Sequence, residues 1–191
     1  MDQFRFLKLR KELGVLLVGV PFELRPDMPD QGLSASRDGL SHSPRVEERL
    51  IQLAAKEGER MVLPDLVPKT HNAMVLAEIG RDRGDEAFWP LHLDIFREYF
   101  VAGRDIGDRR VLVPVGLKHG ISESEMTEAW DSGRYDERLH EFRHLALHLG
   151  IQETPAAIIC DELIVGSRPY EVLRAAVQRC LVRPENVQTA E

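Results

Sequence analysis

The sequence IQETPAAIICDELIVGSRPY, residues 151–170, decides the fold of this chain. Pro155 lacks the N–H group that a sheet ladder needs, so it must lie at the entrance of the apolar run that follows it. Residues 156–160 and 163–165 are predicted strands, and residues 161–162 between them predict an antiparallel hairpin. Apolar side chains then recur at helical spacing over residues 170–181. The stretch therefore predicts a proline corner, a hairpin and a helix, in that order.

The N-terminal residues predict a helix that leads into a buried strand. Residues 3–13 place Phe4, Leu7 and Leu13 on one side among charged neighbours, and Gly14 follows as a stop signal. In an extended conformation, residues 15–20 would present apolar side chains on both faces. This pattern is typical of a strand that is buried on two faces. A helix followed by such a strand is typical of one half of a β–α–β crossover.

The middle of the chain has the pattern of a helical block. Helices are predicted at residues 45–58, 71–81, 87–102, 109–118, 122–132 and 136–149. Thr70 is the predicted N-cap of the second of these helices. Residues 33–44 are predicted to be a linker, since serine, glycine and aspartate dominate them. We therefore expect a helical block inserted between the first strand and the hairpin.

Composition excludes several classes of function. The chain has 191 residues, of which 43% are hydrophobic and 30% charged, an ordinary globular composition. No apolar run approaches the roughly 20 residues of a membrane helix, so no membrane partner is expected. The formal net charge of −7 disfavours nucleic acid as a partner. The first residues, MDQFRFLK, lack the features of a secretory signal, so we expect a cytoplasmic protein.

The two cysteines of the sequence, Cys160 and Cys180, are too few for a disulfide scaffold or a thiolate-rich metal site. Cys160 ends the first predicted hairpin strand, and Cys180 lies near the end of the helix that follows. Both are interpreted as buried structural thiols, which is the usual situation of cysteine at apolar positions. The sequence contains no C-x-x-C pair.

Several motifs, taken together and in this order, resemble the DsbA-family thioredoxin-fold proteins of the cytoplasmic FrnE type. The motifs are PFELRPDMP at 21–29, LPDLVPKT at 63–70, FREYFVAGRDIG at 96–107, SGRY at 132–135, TPAAII at 154–159 and VGSRPYEVL at 165–173. The resemblance implies an α/β, thioredoxin-like fold of the DsbA type with an inserted all-helical domain. It implies a core built from residues 1–32 and 151–185 and an insertion at 40–150. It also implies that Pro155 is a cis-proline and that Thr154 and Pro155 bind the substrate.

The chain departs from the redox-active members of this family at the start of the first helix. Those members carry a Cys-Pro-x-Cys pair there, where the helix macrodipole favours the thiolate. The corresponding helix of this chain begins near Gln3 and carries no such pair. By comparison, the catalytic cysteines and the first core strand would lie at or ahead of Met1, so no catalytic residue is assigned within the chain.

In the fold that the resemblance implies, the missing first core strand lies between residues 15–20 and residues 156–160. Without it, the facing edges of these two strands would have no partner. Unpaired buried N–H and C=O groups each cost roughly 1 to 3 kcal/mol. We expect one of three outcomes: the natural protein starts upstream, residues 15–20 pair directly with residues 156–160, or a second chain supplies the strand. The third outcome would make the protein a homodimer.

Two further groups of side chains have both a functional and a structural interpretation. His140, His144 and His148 fall on one helix face and could bind zinc, but a fourth ligand is not evident, and we favour a solvated stripe. Aromatic residues between positions 88 and 100 could line a pocket for an aromatic or glutathione-like ligand, although we favour a core role. These aromatic residues are Phe88, Trp89, Phe96, Tyr99 and Phe100. No metal and no cofactor are therefore expected.

Two classes of function remain open. The first is a thiol-disulfide oxidoreductase or disulfide isomerase that acts on a protein or small-molecule thiol or disulfide, and a glutathione-dependent kappa-type transferase or isomerase is its close relative. The second is a non-catalytic binding module that keeps the thioredoxin fold and the proline corner.

Overall fold

The computed structural model describes residues 2–56 and 58–182. The helices within these residues are α1 (Asp2–Leu13), α2 (Pro44–Lys56), α3 (His71–Asp82), α4 (Asp85–Phe100), α5 (Arg109–Lys118), α6 (Glu123–Ser132), α7 (Asp136–His148) and α8 (Tyr170–Leu181). The strands are β1 (Leu33–Ser34), β2 (Leu66–Val67), β3 (Ala156–Ile159) and β4 (Glu162–Val165). The strands form two separate antiparallel pairs, β1 with β2 and β3 with β4.

The chain divides into two compact units. The first unit comprises Met1–Phe22 and His144–Glu191, and it contains α1, the β3–β4 hairpin and α8. The second unit comprises Glu23–Arg143, and it contains helices α2 to α6 with the β1–β2 pair. Helix α7 crosses the boundary between the two units at residues 143 and 144. None of the described helices combines the length and apolar character that a membrane crossing requires.

The predicted hairpin is present, but its turn lies one residue earlier than predicted. Ile159 pairs with Glu162, so the turn residues are Cys160 and Asp161 and not residues 161–162. Cys160 adopts a φ of 57°, a left-handed conformation that non-glycine residues rarely take. Contacts with α8 favour this register, because Glu162 accepts a hydrogen bond of 3.0 Å from Arg179 and Cys160 is bonded to Cys180.

Helix α1 is present as predicted, but it buries a different face. Leu9 and Arg5 are its buried residues, whereas Phe4 and Leu7 are only partly buried. The core of the first unit is an apolar cluster of Leu9, Ile164, Leu173, Ala176 and Val177. The predicted face is wrong for Phe4 and Leu7, whereas Leu13 packs against this cluster as predicted. The segment carries several apolar residues, and only the packing against β4 and α8 selects among them. Gly14 ends the helix with a φ of 65°, as its stop signal predicts.

The predicted strand at residues 15–20 is wrong, because no ladder within the described residues includes it. Exposure alternates along this segment: Leu16 is 82% and Val18 63% exposed, whereas Val15 and Leu17 are partly buried. Only alternate side chains are thus protected from solvent, and the segment is not buried on both faces. Direct pairing of this segment with residues 156–160 is also wrong, since β3 pairs only with β4 among the described residues.

The two cysteines form a disulfide and are not the separate buried thiols that the sequence predicted. Cys160 and Cys180 are bonded, with their Cα atoms 6.0 Å apart, within the usual range for a disulfide. Cys160 is exposed and Cys180 is half-buried. The bond ties the hairpin turn to the last turn of α8.

The second unit forms a helical block near the predicted positions. Its fully buried side chains include Leu76, Leu91, Leu112 and Met126. Helices α5 and α6 approach closely at Gly116, where a Cβ atom would lie within 2.2 Å of the Met126 sulfur. A larger residue at position 116 would therefore clash with the core.

One local prediction in this unit is confirmed in position: Thr70 is the N-cap residue of α3, although its side chain makes no capping hydrogen bond. A second local prediction is wrong. Residues 33–44 are more than a linker, because Leu33 and Ser34 pair with β2. The Ser34 hydroxyl also donates a hydrogen bond of 2.6 Å to Asp65, which anchors this segment.

Loss of the disulfide is expected to destabilise the first unit. Cys160 and Cys180 are separated by 20 positions, and closing a loop of this length stabilises a fold by about 3 kcal/mol through the entropy of the unfolded chain. A Cys160→Ser/Cys180→Ser double variant should lose about this free energy of unfolding in urea, as should the reduced wild-type protein. The double variant should be insensitive to reductant, and a wild-type midpoint that does not move on reduction would contradict the expectation.

Candidate functional site

The candidate site lies in the first unit, where the chain enters β3. The Thr154–Pro155 peptide bond is cis, the geometry that the resemblance implies. Both residues are exposed, and the Pro155 carbonyl accepts a hydrogen bond of 2.8 Å from the Gly166 amide after β4. The two sequence-predicted substrate-binding residues are therefore accessible and held at the open end of the hairpin.

A pocket of about 180 Å³ of empty space, open solvent included, lies beside this corner. We call it the Pro155 pocket. Its lining includes Asp2, Phe6, Pro155, Ala156, Gly166 and Arg168. Most of these residues offer apolar surface, while Asp2 and Arg168 bring one charge of each sign to the lining.

The pocket is shaped by a buried arginine that the sequence analysis did not single out. Arg5 is only 6% exposed, and its Nη1 atom donates to the Ser167 hydroxyl at 3.0 Å and to the Arg168 carbonyl at 2.9 Å. The Asp2 carboxylate balances its charge at 3.3 Å and also accepts a hydrogen bond of 2.9 Å from Ser167. Buried charges require such partners. The network fastens the turn after β4 to the start of α1.

A second polar link joins α1 to the start of α8. The Tyr170 hydroxyl donates a hydrogen bond to the Glu12 carboxylate, and Lys8 lies 4.2 Å from the centre of the Tyr170 ring. Loss of hydration and the bond to Glu12 raise the pKa of Tyr170 to about 12. Tyr170 therefore remains a neutral donor at physiological pH.

The outer edge of β3 is open within the part of the chain that the structure describes, since only β4 pairs with this strand there. Ile158 and its cross-strand neighbour Leu163 are 43% and 38% exposed. An open edge offers backbone N–H and C=O groups to another extended chain. The candidate site thus combines the proline corner, the Pro155 pocket and a strand edge.

No cysteine lines the Pro155 pocket. The first turn of α1, where a nucleophilic thiol would benefit from the macrodipole, carries Asp2 and Gln3. The two cysteines lie at the hairpin turn and at the end of α8, bonded to each other. The lining of the Pro155 pocket therefore offers no sulfur nucleophile.

The histidines weighed as zinc ligands are spread along α7. His140, His144 and His148 are all exposed. Across residues 2–56 and 58–182, no three histidine, cysteine, aspartate or glutamate side chains are grouped so that they could hold a metal ion.

The aromatic residues of α4 form a continuous set of ring contacts. Phe88 and Trp89 are buried, and His92 stacks on Phe88 at 5.1 Å. Burial lowers the pKa of His92 to about 4, with Arg81 adding to the effect, so the ring is neutral at physiological pH. Phe96 remains 42% exposed. The buried members therefore belong to the core of the second unit, as the favoured interpretation predicts.

The comparisons with known proteins agree with this architecture. Residues 3–178 match the family described as DSBA-like thioredoxin domain. The chain belongs to this family. None of the curated proteins is similar enough to the sequence to count as a relative. The DSBA-like match confirms the predicted fold class, a thioredoxin-like fold with a helical insertion.

Two solved structures are similar to this DSBA-like chain. One is a probable DsbA oxidoreductase from Streptomyces coelicolor, with 23% identity, a TM-score of 0.78, and coverage of 92% of this chain and 81% of that chain. The other is a 2-hydroxychromene-2-carboxylate isomerase, with 17% identity, a TM-score of 0.74, and coverage of 98% and 92%. At these identities the likeness establishes the fold alone.

Substitution of Arg5 is expected to destabilise the DSBA-like chain strongly. An Arg5→Ala variant leaves Asp2 partly buried without its cation and removes two bonds to the turn after β4, so the free energy of unfolding should fall by about 3 kcal/mol. Urea unfolding measures the change. Lys11→Ala, at an exposed position on the same helix, is the control and should stay within about 0.5 kcal/mol of wild type. Equal effects of the two variants would contradict the role given to Arg5.

Proposed function

We propose that this DSBA-like chain binds extended thiol or disulfide substrates at the Pro155 pocket, as the substrate-binding part of a thiol-disulfide oxidoreductase or disulfide isomerase. The observation that carries the proposal is the exposed Thr154–Pro155 corner beside a pocket and an open strand edge. An extended peptide can add to such an edge through main-chain hydrogen bonds, while a pocket selects alternate side chains.

The two charges at the pocket suit a peptide backbone. Asp2 can accept a hydrogen bond from a substrate N–H group, and Arg168 can donate to a carbonyl or carboxylate. The Thr154 hydroxyl is exposed and can do either. Phe6 and Ala156 then offer apolar contact to a short side chain such as that of cysteine.

In thiol-disulfide exchange a thiolate attacks a substrate disulfide and forms a mixed disulfide, which a second thiolate resolves. We assign no catalytic residue of this chemistry to the described part of the chain. Cys180 lies in the last turn of α8, where the negative end of the helix disfavours a thiolate. Cys160 is followed by Asp161 and Glu162, whose charges oppose a thiolate as well.

Several wider expectations belong to the same proposal. The substrate would be a protein or a small molecule that carries a thiol or disulfide, and the protein would act in the cytoplasm without a nucleic acid or membrane partner. The open edge of β3 is compatible with a homodimer.

A non-catalytic binding module is the second candidate. The observation that favours it is the pairing of both cysteines with each other, away from the Pro155 pocket. A glutathione-dependent relative of the kappa type would use the same pocket for glutathione. Peptide binding and glutathione binding distinguish the kappa-type alternative from the two candidates that bind peptides.

Binding of a peptide tests the proposed substrate-binding role of the Pro155 pocket. The probe is an unstructured peptide with one central cysteine capped as a methyl disulfide, and amide NMR shifts of the protein report where it binds. Shifts should concentrate at residues 154–159 and at Gly166. Pro155→Ala should weaken peptide binding about fivefold, because the substitution loosens the corner. A fivefold loss corresponds to the net contribution of roughly one hydrogen bond. Gln178→Ala, at an exposed position on α8, is the control and should bind as wild type does.

An activity measurement tests the assignment of no catalytic residue. The 191-residue chain should not accelerate insulin reduction by dithiothreitol above background, because no sulfur nucleophile lies at the pocket. Clear acceleration would contradict our assignment of no catalytic residue. Saturable binding of glutathione at the pocket without peptide binding would favour the kappa-type alternative. If no probe shifts the amide signals of residues 154–159, the proposal that substrates bind at the Pro155 pocket is refuted.

A further inference from the structure

A charged cluster in the helical unit lies where the chain enters and leaves that unit. Glu23 is the first residue of the unit and Arg143 is its last. The Arg143 Nε atom donates a hydrogen bond of 3.2 Å to the Glu23 carbonyl. The ends of the unit are thus fastened to each other by a backbone oxygen and a guanidinium.

The Glu23 side chain is buried, and one of its carboxylate oxygens lacks a hydrogen-bond partner. Glu23 is 8% exposed, and its Oε1 atom is buried without a hydrogen-bond partner. A buried carboxylate that lacks partners costs free energy unless a positive charge lies close to it. The nearest group that can provide this charge is the imidazole of His71, whose Nδ1 atom lies 3.7 Å from the other carboxylate oxygen.

His71 connects three elements of the unit. It is the first residue of α3, and its Nε2 atom lies 3.2 Å from the Asp136 carboxylate at the start of α7. The ring therefore lies between a carboxylate of the connecting segment and a carboxylate of α7. The positive end of α3 disfavours an imidazolium there, but two carboxylates in contact with the ring favour it.

The other charges around this cluster do not replace His71. Lys69 acts on Glu23 only at longer range, because its Nζ atom is bonded to Asp30 at 2.7 Å. Arg143 uses its Nε atom on the Glu23 backbone carbonyl and not on the carboxylate. The electrostatic stabilisation of the buried Glu23 carboxylate therefore depends on the protonation of the His71 imidazole.

We propose that Glu23, His71 and Asp136 form a pH-dependent clasp that holds residues 23–29 on the helical unit while His71 carries its proton. Met28, at the far end of the segment, is buried and supplies the apolar anchor. Deprotonation of the imidazole leaves the Glu23 carboxylate buried beside a neutral ring, and the segment then opens more readily.

The direction of the pH dependence follows from the contacts of His71. Contact with the Glu23 carboxylate raises the pKa of His71, burial opposes this, and the charges of Glu23 and Asp136 add to the increase. The clasp is therefore complete below the ordinary histidine pKa of about 6.5 and is lost as pH rises through the raised pKa. Each unit of difference between the pKa of the clasped and the open ring corresponds to an about tenfold change in the opening equilibrium.

An NMR titration of the His71 ring tests the electrostatic part of the clasp. In the wild-type protein the ring should titrate above its ordinary value, and in Glu23→Gln the midpoint should shift downward, because the largest contribution to the increase is removed. A wild-type midpoint at or below the ordinary value would overturn the proposal.

Hydrogen exchange of the full-length chain tests the structural part. After correction for the intrinsic effect of pH on exchange, the opening of residues 23–29 should increase as pH rises through the His71 midpoint. In His71→Gln this dependence should be lost, with the segment open to a similar extent at each pH, whereas His140→Gln should behave as wild type does. Identical exchange of wild type and His71→Gln over the whole pH range would refute the clasp. The outcome does not depend on substrate binding at the Pro155 pocket.

Discussion

The buried guanidinium of Arg5 is the interaction on which the candidate site depends. A charge at 6% exposure is tolerated only when its hydrogen bonds are satisfied, and Arg5 meets this condition by bonding to Asp2, Ser167 and the Arg168 carbonyl. These partners come from the two ends of the chain. The same bonds that satisfy the cation therefore hold the start of α1 beside the turn after β4, and the Pro155 pocket forms where the two meet.

Patterns that depend on near neighbours were predictable from the sequence. The helices of the second unit were found by their periodicity, and the proline corner and the hairpin by the placement of Pro155 and the apolar runs. The hairpin turn was placed one residue too late, because its register is selected by contacts of Cys160 and Glu162 with α8. No local rule contains that information.

Features that join distant residues were the ones that sequence analysis missed. The disulfide joins residues 20 positions apart, and Arg5 and Ser167 are 162 positions apart. An arginine in an amphipathic helix is usually solvated, so nothing at position 5 distinguished it from Arg10. The segment 15–20 was misjudged for a related reason, because a hydrophobic run indicates a strand only when another strand is available to pair with it. The exposed corner at Thr154 and Pro155 was located from the sequence because a motif of six adjacent residues carries it.

The electrostatics of the Pro155 pocket centre on the first turn of α1. The positive end of α1 and the cation of Arg5 both act on the first turn of that helix, and such an environment stabilises an anion. In this chain the anion is the Asp2 carboxylate, which is held by Arg5 and Ser167. The positive charge that would lower the pKa of a thiol is therefore present in the first turn of α1. The Asp2 carboxylate balances this charge, and a carboxylate cannot perform thiol-disulfide exchange. The same carboxylate gives the pocket a hydrogen-bond acceptor.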